Sequence, residues 1–181
     1  MKLDPKRADT HIQRASLLRR QKRPADALAS LTNSIASLPK EHALYIERGR
    51  LQESFKRFDE AVEDFSKALK VADKPVEQAE SRMARGRIYS RTGKLPEAIE
   101  DYSEAIALDQ RPEELGFAYT NRAEAYLYLK ERDKALADLH KMMEITATDH
   151  PARLLAGILI ENIERYKREE KNREAVDGKP Q

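Results

Sequence analysis

The 181 residues predict an all-α fold, an α-α solenoid of four helix pairs closed by a final helix. Three observations predict it. A pattern of small and large apolar residues returns four times, and the apolar positions within each copy keep helical spacing. Charged residues make up 36% of the chain while Gly and Pro number only 6 and 8, which suits helices with solvated outer faces and short connections.

The first pair occupies residues 8–41, with Ala15 and Leu18 on its first helix, Arg23-Pro24 at the turn, and Ala27, Leu31 and Ser34 on its second. The second occupies 42–78, with Gly49, a turn at Lys56-Arg57-Phe58-Asp59, then Ala61, Phe65 and Ala68. The third, 79–115, carries Gly86 and Tyr89 and stops at Thr92-Gly93, where Gly suits a left-handed helix cap; Ala98, Ile99, Tyr102 and Ala105 follow. The fourth, 116–149, carries Ala123 and Tyr126, a turn at Lys130-Glu131-Arg132-Asp133, then Ala135, Leu139 and Met142. Asp59 and Asp133 are expected to cap the helices that follow those turns, because a short carboxylate accepts orphan backbone N–H groups.

Ala27, Ala61, Ala98 and Ala135 recur at intervals of 34, 37 and 37 residues. The longer intervals follow from Val76-Glu77-Gln78 after Pro75 and Glu113-Glu114-Leu115 after Pro112, each adding a turn at the front of a helix, where Pro is tolerated. Ala15, Gly49, Gly86 and Ala123 are expected to face the four repeating Ala residues, so that paired helices approach closely. Beyond His150-Pro151 a closing helix is predicted over 150–170, its strip of Leu154, Leu155, Ile158, Leu159, Ile163 and Tyr166 covering the last pair. Residues 171–181 read as a disordered tail. Residues 1–7 read as the end of a preceding unit, since Pro5 stands 34 residues before Pro39.

This register resembles the tetratricopeptide repeat, a helix-turn-helix unit of ~34 residues, over about residues 8–149. The copies depart from the family pattern in lacking its Trp, in placing Gln52 where an aromatic is usual, and in keeping the terminal Pro only at Pro39. The resemblance implies a right-handed α-α superhelix (solenoid) that acts as a non-catalytic protein-interaction scaffold and whose first helices, the A helices, line a concave groove. Mapped residue by residue, the groove positions are Ile12, Ser16 and Arg20, then Ile46 and Arg50, then Met83, Arg87 and Arg91, and last Thr120, Asn121, Glu124 and Tyr128.

Arg grips carboxylates in a bidentate fork, and Ile12, Ile46 and Met83 form an apolar row beside the Arg residues. The expected partner is therefore another protein presenting an acidic or mixed acidic-aliphatic peptide. An equal alternative has these Arg residues pairing with Glu47, Glu53, Glu80 and Glu124 and only keeping the face soluble. Asn121 matches one element of the clamp with which part of the family holds acidic chaperone tails. The other clamp positions fall on residues such as Ile12, Ser16, Glu80 and Ala84, so that clamp is not expected. A second reading is an assembly or regulatory subunit, a monomer or weak homo-oligomer that associates through its convex face or its ends, where Leu17 is a candidate contact.

Other classes find little support. The net charge of +2 comes from 34 basic and 32 acidic residues mixed along the chain, against a dedicated nucleic-acid surface. No apolar run approaches the ~20 residues of a membrane span. The absence of Cys excludes disulfides and thiolate chemistry without naming a compartment. His11, His42, His140 and His150 lack metal-ligand spacing, and there is no phosphate-binding glycine loop or nucleophile elbow. No enzyme, metal or cofactor is expected. The abundant Asp and Glu read as solvated helix faces beside Lys and Arg.

Overall fold

A computed structural model describes residues 8–109 and 111–177. Among these residues there are nine helices and no strand: α1 (Ala8–Arg20), α2 (Pro24–Ser37), α3 (His42–Ser54), α4 (Phe58–Val71), α5 (Pro75–Arg91), α6 (Leu95–Leu108), α7 (Pro112–Tyr128), α8 (Arg132–Ile145) and α9 (Ala152–Asp177). The chain divides after Asp109 into two compact units, one holding α1 to α6 and the other α7 to α9. In each unit consecutive helices pack as neighbours, α1 on α2, α3 on α4, α5 on α6 and α7 on α8.

Four limits drawn from the sequence move. The repeat boundaries after residues 78 and 115 fall inside α5 and α7, because the added turns belong to the helices that start at Pro75 and Pro112. The closing helix begins at Ala152 and continues to Asp177, past the expected stop at 170, so residues 171–177 are helical. The remainder of the expected tail and the expected fragment over 1–7 lie outside the described residues.

The four A helices end in one way. Lys22, Lys56, Gly93 and Lys130 adopt φ of 57°, 59°, 80° and 62°. In each turn the amide of this residue donates three residues back and the next amide five residues back, as in Arg57 N to Gln52 O at 3.0 Å and Lys94 N to Tyr89 O at 2.9 Å. This doubled bond satisfies the last helical carbonyls and holds the left-handed residue in place. Only at Gly93 is that conformation free of a Cβ penalty.

The expected Asp caps do not form. The residues flanking α4 and α8 are Arg57 and Glu131, neither making a side-chain cap bond. Asp59 and Asp133 lie inside the first turn, where their charge complements the helix dipole.

In the first unit a continuous core joins Ala15, Ala27 and Leu31 to Leu44, Ile46, Leu51, Ala61, Phe65 and Ile88. Here residue size is matched across each pair. Phe65 and Tyr102 press on Gly49 and Gly86: a Cβ built on Gly49 would lie 2.6 Å from Phe65 Cε1, and one on Gly86 2.9 Å from Tyr102 Cε1. At the corresponding positions of the first and fourth pairs, Ala replaces Gly where Leu replaces the aromatic, giving Ala15 with Leu31 and Ala123 with Leu139, all buried.

Sixteen residues also separate a repeated ion pair. Arg48 forks onto Asp64 at 2.7 and 2.6 Å, Arg85 onto Asp101 at 2.8 and 2.7 Å, and Arg122 onto Asp138 at 2.8 and 2.7 Å. These three Asp residues are buried, contrary to the expectation that the acids sit on solvated faces. Arg48 and Arg85 also reach Thr32 and Ser66 of the preceding pair. Hydrogen bonding to Asp64 and Asp101, set against burial, holds both guanidinium groups above their ordinary pKa. The first pair breaks the rule, since Arg14 faces Ser30 at that spacing.

In the second unit α9 packs on α7 and α8 through Ala152, Ala156 and Ile163, with Leu159 and Ile160 partly buried. Of the strip expected to cover the last pair, Leu154, Leu155, Ile158 and Tyr166 are exposed. The buried contact is made by the Ala face and Ile163 instead, and His150 sets the start of α9. His150 Nε2 donates to Glu113 O at 2.9 Å, while Nδ1 accepts the Ala152 amide at 3.1 Å, which fixes the ring tautomer. Arg153 then satisfies the end of α8, donating to Met143 O at 2.6 Å and Thr146 O at 3.0 Å.

Candidate functional site

Within each unit the A helices carry residues singled out from the sequence. In the first unit an alternating ladder of charge joins α3 to α5. Arg50 bonds Glu47 at 3.0 Å on its own helix and Glu80 at 2.8 Å on α5. Glu53 of α3 receives Arg87 at 3.1 Å and Arg91 at 2.8 Å, both from α5. Three Arg and three Glu therefore balance.

The Arg side chains stay open to solvent, 44% for Arg50 and Arg87 and 50% for Arg91; the Arg50–Glu80 pair, exposed on both sides, contributes only about 0–1 kcal/mol, while Glu53, 13% exposed, is held by two Arg residues. Arg20 is exposed and makes no ion pair among the described residues. Of the other residues singled out on these helices, Ile12, Ser16 and Met83 are half-buried.

Two of the predicted groove residues are not available for contact. Ile46 is buried in the first unit's core, because α3 is enclosed by its neighbours on that side. Thr120 is buried in the second unit, with its hydroxyl turned back onto Gly116 O at 2.8 Å. The second unit presents Asn121 and Glu124, half-buried, and Tyr128, whose exposure reaches 76%. Burial pushes the Glu124 carboxyl up, and no cation offsets it.

Reactive groups do not converge on this face. His42 and Ser81 meet at 2.9 Å, but both are buried and Ser81 donates to Glu77 O, so they tie α3 to α5. Among the described residues no cluster of His, Asp and Glu could hold a metal ion, and no helix is long and apolar enough to cross a membrane.

The sequence reading missed the Arg-Asp forks, His150 and Arg153. The forks had a signal, an Arg and an Asp 16 residues apart in three successive repeats. His150 and Arg153 act once each, so repetition could not reveal them.

Known structures place this geometry. The chain resembles a thermophilic tetratricopeptide repeat protein of Thermus thermophilus, with a TM-score of 0.69 and 21% identity over 87% of this chain and 81% of that one. Pseudomonas aeruginosa pilF gives a TM-score of 0.72 and 20% identity over 90% and 71%. Yeast Tom70 gives 0.80 and 19% identity, covering 91% of this chain but only 34% of the yeast protein. At these identities the likeness shows the fold. No curated protein sequence matches the chain. The family model for the tetratricopeptide repeat matches residues 12–76 and 57–114, together more than half of the sequence. With the four paired helices in register, this chain belongs to the tetratricopeptide repeat family, whose fold commonly mediates protein-protein interaction and whose members are generally non-catalytic scaffolds.

Proposed function

We propose that this protein is a non-catalytic adaptor that holds a segment of a partner protein along its A-helix face, and that the first unit favours acidic and aliphatic side chains. The observation that carries the reading is the exposed ladder of Arg50, Arg87 and Arg91. Because the Arg50–Glu80 pair is exposed on both sides and weak, a partner carboxylate can replace Glu80 at little cost and take a forked contact in exchange. Arg20 offers a further cation, and Met83 and Ile12 supply apolar contact.

Affinity capture from the source cell tests this, comparing the chain with an Arg50→Glu/Arg87→Glu variant whose helicity matches by circular dichroism. The reading expects the partner to be lost in the variant. Retention of the same partner at equal yield contradicts it.

A second reading, association through the convex face or array ends, is favoured by exposed Leu17 on α1. Light scattering after size exclusion decides it, since a monomer independent of concentration excludes self-association.

A further inference from the structure

The A-helix face changes sign in the second unit. Arg50 and Arg87 stand 37 residues apart, and 37 residues further stands Glu124. One shift of 37 takes Glu80 to Phe117, and two such shifts take Glu47 to Asn121 and Glu53 to Leu127, so the acids that neutralise the Arg residues have no acidic or basic counterpart on α7 at those positions. α7 thus carries a reversed charge with its compensation removed. Glu124 is half-buried and takes part in no hydrogen bond or ion pair among the described residues, and burial alone perturbs it.

One helical turn on, Tyr128 is 76% exposed, and Phe117, two turns back, is exposed as well. α9, which packs on α7, adds exposed Leu154 and Ile158, the former 77% exposed.

A carboxylate that has already lost part of its hydration in the free protein meets a cation with less further desolvation than a fully solvated one. An aromatic ring one turn away, that of Tyr128, attracts a cation and covers its methylene stem. We infer that the α7 face around Glu124 receives a lysine or arginine side chain of a protein partner, flanked by aliphatic residues. The inference rests on the reading of the A-helix face as a binding surface and adds that its second unit selects the opposite charge to the first.

Selection of a phage-displayed random peptide library on the full chain tests it, with synthetic versions of the enriched peptides titrated by fluorescence anisotropy. Peptides that bind α7 are expected to carry Lys or Arg between aliphatic residues. They should lose about tenfold in affinity on Glu124→Gln, and a comparable factor when the basic residue becomes norleucine. Binding of such peptides that is indifferent to Glu124→Gln overturns the inference. Enriched peptides that depend on Arg50 and Arg87 alone overturn the inference while leaving the adaptor reading standing. Enriched peptides that depend on neither set overturn both.

Discussion

Replacing Gly49 by Ala probes the size matching that sets the helix-pair register, and the expected effect changes sign with the residue opposite. The new methyl would lie 2.6, 2.9 and 3.0 Å from Phe65 Cε1, Cδ1 and Cζ. Phe65 is fully buried, so its ring cannot swing clear, and such overpacking costs about 1–3 kcal/mol. Ala favours a helix interior over Gly by about 0.5–1 kcal/mol, which offsets part of this. Gly49→Ala alone should therefore destabilise by about 0–2.5 kcal/mol.

Phe65→Leu alone leaves a void and also destabilises. In that background the Ala methyl has space, as Ala15 has beside Leu31, and Gly49→Ala should now stabilise by about 0.5–1 kcal/mol. The coupling, about 1–3 kcal/mol, is the clash itself. Urea unfolding of the four proteins, followed by circular dichroism, measures it. An equal effect of Gly49→Ala in both backgrounds would refute the matching of Gly with aromatic and Ala with Leu.

The remaining expectations concern caps, buried charge and pH. Lys56→Gly and Lys130→Gly relieve left-handed strain and should each raise the unfolding free energy measured in urea by about 0.5–1 kcal/mol after the greater freedom of Gly in the unfolded chain is subtracted. Asp101→Ala leaves Arg85 and Arg82 without their shared carboxylate and should destabilise by about 3–5 kcal/mol in the same assay. Burial raises the Glu124 carboxyl, so the folded chain keeps that proton to higher pH than the unfolded chain does. The destabilisation due to its charge is absent below about pH 4, grows as pH rises through the raised value, and is complete above it. Glu124→Gln should then match the parent in thermal melts at about pH 3 and exceed it at about pH 7.

What could be read from the sequence was whatever the repeat states several times. Ala27, Ala61, Ala98 and Ala135 fixed the pairing, because close helix approach demands a small residue at one place in each copy. Gly93 marked its turn by chemistry, whereas Lys22, Lys56 and Lys130 hold the same conformation only through the bonds that close the helix end, and Lys has no preference that would betray it. Asp64 and Asp101 looked solvated because a charge is usually outside; their burial depends on an Arg that the fold brings over from 16 residues away.

On the A-helix face of the first unit, Arg50, Arg87 and Arg91 are placed together with the Glu residues that were the alternative partners. Ile46 and Thr120 share the register of Ile12 and Met83, yet burial differs between copies, since it depends on each helix's neighbours. α9 has apolar residues on two sides, and the sequence alone favoured the larger ones over Ala152 and Ala156.

The most direct test of the account places a photo-crosslinking benzoylphenylalanine at Met83, half-buried on the A-helix face, and in a second protein at Glu100, exposed on α6. The adaptor reading predicts that irradiation in the source cell's lysate joins a partner segment to position 83 and not to position 100, and that the Arg50→Glu/Arg87→Glu change abolishes the product. Crosslinking of the same partner at position 100 and not at 83 would contradict it.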